Sequence, residues 1–176
     1  MHNPFLIGKS IYLRGLEDTD LSGEYFQWFN DQKNDIFTSH ALWPNTLEKM
    51  KSFFDRVTQY KNDIVLAIIE KKTEKHIGNV ALHDINWIHR RAEFAIIIGY
   101  KKAQNKGYGF EATCLLIEHA FKKLNIHRIG LGVNESNRAA IRLYEKAGFI
   151  VEGRFKDHFL RDGKYSAAVR MAILNK

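Results

Sequence analysis

Two rhythms of apolar and polar residues run along the chain, one typical of strands and one typical of helices. Residues 9–16 alternate with a period of two, and residues 64–70 form a nearly continuous apolar run, so both are predicted to be β-strands. Residues 76–85 and 93–99 continue in the same way. Because the connections between the last three stretches are short, we expect these strands to pair as an antiparallel meander.

Four other stretches place apolar residues every three or four positions, which predicts amphipathic helices. They cover residues 21–30, about 46–60, 107–124 and 136–147. Asp18 or Asp20 is a suitable N-cap for the first helix, and Gly148 ends the last one.

Strands are interleaved with the two final helices in the last third of the chain. They are predicted at residues 127–133, 149–155 and 165–174, with a turn at residues 161–164. The element order predicts an α/β fold in one domain over residues 1–176. Its sheet is expected to be mixed, mostly antiparallel and twisted, with about seven strands flanked by about four helices.

Composition adds few limits to this fold. The 45% hydrophobic and 27% charged residues are ordinary for a globular chain. No apolar run approaches the roughly 18–20 residues of a membrane span, and the first residues do not form a signal peptide. A single cysteine, Cys114, rules out an internal disulfide framework. We therefore expect a cytoplasmic protein without a membrane partner.

The formal net charge of +7 favours an anionic partner, such as a nucleotide-type cofactor. The basic residues are spread along the chain, so nucleic acid is not the expected ligand. A local anion site is predicted where the apolar residues 96–98 lead through a basic loop into the third helix. Gly107 and Gly109 allow a close backbone approach there, and the first turn of a helix offers unpaired N–H groups to a phosphate.

Three stretches together resemble one family. Residues 104–109, Gln-Asn-Lys-Gly-Tyr-Gly, are similar to the acetyl-CoA pyrophosphate loop of the GNAT acetyltransferases, and residues 134–149 resemble the second cofactor motif of that family. Residues 85–94 look like the strand entry in the branch that contains the RimJ/RimL protein N-terminal acetyltransferases and the spermidine acetyltransferases. The likeness is strong from about residue 77 to the end of the chain.

The resemblance implies a GNAT-type fold whose central strands splay apart. It also implies an enzyme that moves an acetyl group directly from acetyl-CoA to a primary amine in a ternary complex, without a metal. The residues that would bind acetyl-CoA are Ile96, Ile97, Ile98, Gln104, Asn105, Lys106, Gly107, Tyr108, Gly109, Asn134 and Asn137. For the two asparagines, capping of the following helix is the alternative role.

Tyr144 matches the tyrosine that acts as general acid in this family. A phenol with a pKa near 10 can protonate the thiolate that leaves when a thioester is cleaved, although Tyr144 can also be a core aromatic. Glu93 is the first candidate for the base, acting through water, and His83 and Asp84 are the others. An ion pair with an arginine at position 90 or 91 is the alternative role for Glu93.

No motif defines the acceptor amine. Trp43, Trp87 or Phe37 can stack on a base or sugar and Asp84 can meet a cation, so Trp43, Asp84 and Trp87 are the candidate substrate-binding residues. Residues 38–44 lack carboxylates, which a polycation requires. We therefore expect a small-molecule amine, such as a nucleotide-linked amino sugar, or a protein N-terminal amine. A polyamine such as spermidine is the alternative acceptor.

Two further expectations concern the protein as a whole. A catalytically inactive CoA-binding sensor is the alternative function of another class, and Tyr144 argues against it. The sequence does not define the oligomeric state, although a homodimer is the commonest closed assembly.

Overall fold

Eight strands form one open sheet in the computed structural model, which describes residues 1–31, 43–59 and 61–176. The strands are β1 (Leu6–Ile7), β2 (Ile11–Gly15), β3 (Ile64–Glu70), β4 (Lys75–Asn86), β5 (Arg91–Ile97), β6 (Arg128–Asn134), β7 (Ile150–Arg161) and β8 (Lys164–Leu174). Their order is β1-β2-β3-β4-β5-β6-β8-β7, and only β5 and β6 pair in parallel. The predicted mixed, mostly antiparallel sheet is confirmed, with the short β1 as the additional strand.

Helices pack on the sheet at several points along the chain. They are α1 (Asp18–Leu21), α2 (Glu24–Trp28), α3 (Leu47–Gln59), α4 (Tyr108–Lys122) and α5 (Arg138–Lys146). The predicted single helix at residues 21–30 is wrong, because Gly23 interrupts it and becomes the N-cap of α2. Neither Asp18 nor Asp20 is the N-cap predicted for this first helix. Glu17 is the N-cap of α1, and the Asp20 carboxylate accepts a hydrogen bond from the Glu17 backbone N–H.

The strand predicted at residues 149–155 is longer than expected and continues to Arg161 as β7. This strand is at the edge of the sheet and largely exposed, so it contains charged residues that break the apolar alternation. The predicted turn is confirmed. Asp162 and Gly163 have φ angles of 49° and 72°, as a tight two-residue hairpin turn requires.

Alternate strand residues supply two separate apolar cores, because neighbouring residues of a strand point to opposite faces of the sheet. The first core joins the sheet to α4 and α5 and includes Ile68, Leu82, Phe94, Leu116, Ile129 and Tyr144. The second joins the other face to α1, α2 and α3 and includes Tyr12, Tyr25, Trp28, Met50, Val57 and Ile69.

The central strands β5 and β6 separate part-way along their length. Their pairing runs from Arg91 with Arg128 to Glu93 with Gly130, whereas β5 continues beside β4 to Ile97 and β6 continues beside β8 to Asn134. The splayed strands implied by the resemblance are therefore present. Among the described helices, none has the length and apolar character needed to cross a membrane.

Candidate active site

A cavity of about 1610 Å³ opens where β5 and β6 separate. Its wall includes residues from both faces of the sheet. From the side of α4 and α5 it takes Ile96, Ile98, Gly107, Gly109, Asn137 and Tyr144, and from the side of α3 it takes Met50, Phe53, Arg56, Asp63, His83 and Glu93. The splayed strands thus connect two half-sites through the sheet.

The loop before α4 has the geometry of an anion site. Asn105 and Gly107 have φ angles of 60° and 84°, and Gly107 is the N-cap of α4. The first intrahelical bond runs from the Glu111 N–H to the Gly107 carbonyl at 3.1 Å, so the preceding N–H groups of Tyr108 and Gly109 lie at the open end of the helix beside the cavity. This arrangement suits a phosphate.

Side chains of the same loop hold it in place. The Gln104 amide donates to the Ile98 carbonyl at 2.9 Å, which ties the loop to the end of β5. The Tyr108 hydroxyl donates to Glu70 at 2.6 Å, and the Lys106 ammonium lies 4.0 Å from the same carboxylate. Gln104, Asn105, Gly107, Tyr108 and Gly109 line the cavity, whereas Lys106 is not part of its wall.

The two asparagines predicted to bind the cofactor both line the cavity. Asn137 is the N-cap of α5 and accepts a hydrogen bond from the Ala140 N–H at 3.1 Å. Asn134 accepts from the Ser136 N–H at 2.9 Å and donates to the Ser166 hydroxyl at 2.9 Å. Both therefore shape the turn into α5, and their contact with a cofactor stays a prediction.

Two cations in the wall, Arg142 and Lys146, did not emerge from the sequence motifs. They are four residues apart on α5 and therefore share a face of the helix. The Lys146 ammonium lies 4.5 Å from the centroid of the Phe110 ring. The spacing of these residues was the signal that could have identified them, and their charge adds to that of the helix start.

Tyr144 lies on α5 with its ring against Phe94 and Phe149, at centroid distances of 6.0 and 5.8 Å. The residue is only 8% exposed, yet it forms part of the cavity wall. Burial raises the pKa of Tyr144 to about 12, so the phenol keeps its proton at neutral pH. The residue is therefore a core aromatic that also reaches the cavity, and its role as general acid stays a prediction.

A row of polar side chains crosses the sheet on the α3 face where β5 and β6 separate. His83 on β4 is the cross-strand partner of Glu93 on β5. Asp63 directly precedes Ile64, whose partner is Leu82, so the same register places Asp63 opposite His83. Cross-strand partners share a face of the sheet, and all three of these side chains line the cavity.

Each acid of this row has a cationic partner. Asp63 contacts His83 Nδ1 at 2.7 Å and Arg56 at 2.5 Å. Glu93 accepts from Arg170 at 2.9 and 3.0 Å, so its partner is Arg170 and not an arginine at position 90 or 91. Asp63 and Arg170 were missed because neither lies in a motif. The strand register brings Asp63 to the cavity wall, and Arg170 joins this row through its contact with Glu93.

The candidate substrate-binding residues are only partly brought together. Trp43 is 73% exposed and lines the cavity, and Asp84 lines it from a bulge in β4. Trp87 lies in the turn between β4 and β5, outside the cavity wall. Phe37 and residues 38–42 lie outside the described residues.

Comparison with known proteins assigns the chain to a family. Residues 10–150 match the acetyltransferase (GNAT) domain. The chain belongs to the GNAT acetyltransferase family. It is 32% identical to the spermidine N(1)-acetyltransferase of Vibrio cholerae in an alignment that covers 96% of this chain and 95% of that protein.

Solved structures of GNAT enzymes from the same organism support this assignment. The spermidine N-acetyltransferase from Vibrio cholerae in complex with CoA and spermine has a TM-score of 0.85 and 28% identity, and the match covers 96% of this chain and 97% of that one. A dodecameric structure of this enzyme in an intermediate state has a TM-score of 0.80 and 30% identity, with coverage of 96% and 95%. The predicted spermidine-acetyltransferase-like branch is confirmed.

As a GNAT member the protein is an N-acetyltransferase that uses acetyl-CoA as its acetyl donor. The α4 half of the cavity fits this donor. The diphosphate can bind the open N–H groups at the start of α4 and the cations of α5. The amides of the pantetheine arm can pair with the edge of β5 beyond Glu93, where Ile96 and Ile97 line the cavity. Within the described residues, no group of three or more His, Cys, Asp or Glu side chains could hold a metal ion.

Proposed function

We propose that the protein acetylates a primary amine of a polyamine such as spermidine. The observation that carries the proposal is the exposed carboxylate of Asp84 in the cavity wall, next in sequence to His83 of the α3 side, which we assign to the acceptor and call the acceptor half. The register of β4 shifts between His83 and Asn86, and Asp84 stands in this bulge with a φ angle of 50° and an exposed side chain. A carboxylate there can bind a second ammonium group of the acceptor while the first one reacts. The similarity to the Vibrio cholerae spermidine enzyme supports the same acceptor class.

The remainder of the acceptor half suits a chain of methylene groups between positive charges. Its wall contains the aromatic rings of Tyr25, Phe29, Trp43 and Phe53, together with Met50. Apolar rings and a thioether pack against methylene groups, and an aromatic face attracts an ammonium ion. Trp43, which the sequence suggested for stacking on a base or sugar, can therefore hold a polyamine as well.

This proposal reverses the order of acceptors that the sequence suggested. A nucleotide-linked amino sugar or a protein N-terminus was placed before a polyamine because residues 38–44 lack carboxylates. The carboxylates of the acceptor half come from other parts of the chain: Asp63, Asp84 and Glu93. Since Asp63 and Glu93 are paired with arginines, it is the exposed carboxylate of Asp84, together with the relatives, that favours the polyamine.

Tyr144 is the proposed general acid. The donor supplies a thioester whose carbonyl carbon is attacked by the amine and whose sulfur leaves as a thiolate. Tyr144 gives its O–H proton to the departing sulfur, and the proton lost by the nitrogen restores the phenol. The raised pKa of Tyr144 means that the phenol is protonated at neutral pH, so a proton is present when the thiolate leaves.

An assay of thiol release across an amine panel tests the function. Purified protein is incubated with acetyl-CoA and spermidine, a nucleotide-linked amino sugar or a peptide with a free N-terminus. Spermidine is expected to give the highest kcat/KM. Asp84→Asn should raise KM for spermidine about tenfold but leave that for a monoamine unchanged, because only the polyamine has a second ammonium group. Turnover of the amino sugar alone would contradict the proposal, and tight CoA binding without turnover would indicate a sensor.

We also propose that the protein forms a homo-oligomer through the hairpin of β7 and β8. Ile150, Leu160 and Tyr165 are about 60% exposed there, and Val151 and Phe155 about 50%. A long edge strand with this many exposed apolar side chains is rarely left uncovered. The dodecameric structure of the Vibrio cholerae enzyme supports an oligomer, and a homodimer is the smallest form that fits.

A further inference from the structure

The contact between Asp63 and His83 fixes which ring nitrogen of the histidine carries a proton. His83 Nδ1 lies 2.7 Å from an oxygen of Asp63, and the Asp63 side chain is 9% exposed. An ionised carboxylate can only accept hydrogen bonds, so Nδ1 must be the donor. The neutral ring then has its lone pair on Nε2, and the His83 side chain, which is 30% exposed, forms part of the cavity wall.

Arg56 holds Asp63 from the opposite side. Its guanidinium lies 2.5 Å from the second oxygen of Asp63, while the first oxygen faces His83. Arg56 lies on α3 and Asp63 directly precedes β3, so a helix and a strand together fix the orientation of the imidazole. This is the arrangement by which a buried carboxylate orients a histidine for proton transfer.

Glu93 is placed differently from His83. Both of its oxygens face one nitrogen of Arg170. A Cβ atom added at Gly130 would lie 2.9 Å from a Glu93 oxygen, and one at Gly132 would lie 3.1 Å from Arg170, so both glycines leave room for this ion pair. A carboxylate neutralised by a guanidinium is a weaker proton acceptor than a neutral imidazole with a free nitrogen.

We propose that His83, oriented by Asp63, is the general base that accepts a proton from the acceptor ammonium, directly or through one water molecule. This inference rests on the proposed transfer to an amine. The ammonium loses one N–H proton to Nε2, and the neutral amine then forms the C–N bond as the C–S bond breaks. The second N–H proton of the nitrogen goes to Tyr144, whose own proton has gone to the sulfur. The imidazolium returns its proton to solvent, so one proton is released per acetyl group transferred. Asp63 is a positioning residue, and Glu93 has the role of holding Arg170 and the acceptor.

The ionisation of His83 takes place among charged groups on several elements. Those lining this part of the cavity are Arg56 on α3, Asp63 before β3, Asp84 on β4 and Glu93 on β5, and Arg170 on β8 is paired with Glu93. Two of the acids are already paired with arginines, so Asp84 is the group whose removal would change the surroundings of His83 most. The Asp84→Asn variant is therefore included when kcat/KM is measured against pH.

The pH dependence of kcat/KM separates His83 from Glu93. Wild type and variants are assayed with the same acceptor, so ionisation of the amine cancels in their ratio. The wild-type to His83→Gln ratio should reach about 10²-fold at high pH and rise about tenfold across the two pH units of a single titration. His89→Gln, in an exposed turn residue, should give a flat ratio close to one. Glu93→Gln should also give a flat ratio, even if its overall rate falls. A flat ratio for His83→Gln, or a titrating one for Glu93→Gln, would overturn the inference.

NMR of protein labelled with ¹⁵N-histidine provides a readout that does not depend on turnover. The His83 signals are those absent from the His83→Gln spectrum. They should show a neutral ring protonated on Nδ1 at high pH, and Asp63→Asn should increase the share of the other form. A neutral ring protonated on Nε2 in wild type would overturn the inference, because that nitrogen could not accept a proton. If wild type acetylates no amine, the proposed function fails, and the NMR result still decides the tautomer on which the inference depends.

Discussion

The ring of Tyr144 stands edge-on to the ring of Phe94, with centroids 6.0 Å apart and planes at 83°. Phe94 follows Glu93 on β5, and neighbouring strand residues point to opposite faces. Tyr144 is therefore on one face of β5, and the polar row that contains His83 is on the other. An amine and a thioester that meet where β5 and β6 separate would have the proposed general acid on one side and the proposed general base on the other.

Replacing Tyr144 by phenylalanine should remove the donor without disturbing the core. We expect Tyr144→Phe to lower kcat about 10²–10⁴-fold and to leave the Kd for CoA unchanged, because the ring still packs on Phe94 and Phe149. Stopped-flow or steady-state thiol release measures kcat, and calorimetry measures Kd. Because burial raises the pKa of Tyr144 to about 12, its ionisation should cause no loss of wild-type activity up to about pH 10.

Tyr165→Phe is the matched control, since this phenol lies outside the cavity wall and phenylalanine keeps the ring that the proposed contact between copies uses. It should retain full kcat. A Tyr144→Phe enzyme with undiminished kcat would remove Tyr144 from the mechanism.

The donor half of the site could be predicted because each part is local in sequence. Residues 96–109 contain the end of a strand, a loop and the start of a helix in one short segment. Residues 134–144 contain the start of α5 and Tyr144. The backbone at position 107 is left-handed at the helix start, a conformation that favours glycine, and a glycine is visible in the sequence itself.

The acceptor half could not be predicted because strand register assembles it. Asp63, His83 and Glu93 are 20 and 10 residues apart in sequence, and they meet only through the pairing of β3, β4 and β5. The pairing of β3 with β4 also contains an irregularity between Ile68 and Ile69, which a hydrophobic pattern does not show.

Arg142 is expected to bind the donor and not the acceptor. It lines the α5 side of the cavity, where a diphosphate would meet the start of α4. Arg142→Ala should raise the Kd for CoA about tenfold, since charge-assisted bonds to phosphate contribute about 1.5–3 kcal/mol. The KM for the amine should not change.

The matched control for this variant is Arg138→Ala, one turn earlier on α5 and outside the cavity wall. Calorimetric titration of CoA at two salt concentrations measures both variants. Equal loss of affinity in the two would point to a general effect of positive charge and contradict a specific role for Arg142.

The buried pair of Arg14 and Asp20 is expected to dominate the acid sensitivity of the fold. The two side chains are 8% and 6% exposed and lie 2.7 Å apart. Burial by itself would raise the pKa of Asp20, but hydrogen bonds from Arg14, His76 and the Glu17 N–H outweigh it and hold that pKa well below its usual range. Arg14→Met should lower the free energy of unfolding by about 3–5 kcal/mol, because it leaves a buried carboxylate without its main partner.

Urea denaturation at several pH values measures this effect and its sign. A carboxyl group whose pKa is lowered by folding stabilises the protein above the pKa of the unfolded chain, about 4, and this contribution is lost as the pH falls. The difference between wild type and Arg14→Met should therefore shrink below about pH 4. Arg154→Met is the control, because its pair with Glu135 is exposed and should contribute less than about 1 kcal/mol. A cost for Arg14→Met no larger than that of the control would contradict the prediction.

The hairpin of β7 and β8 is expected to form the contact between protein copies. Leu160 and Tyr165 are cross-strand partners near its tip and are 60% and 62% exposed. Leu160→Lys places a charge in the proposed interface and should shift the protein towards the monomer, which light scattering after size-exclusion chromatography measures. Ile88→Lys is the matched control, because Ile88 is 88% exposed in the turn between β4 and β5. Dissociation by the change at Ile88 and not by the change at Leu160 would place the interface elsewhere, and a monomeric wild-type protein would contradict the proposed assembly.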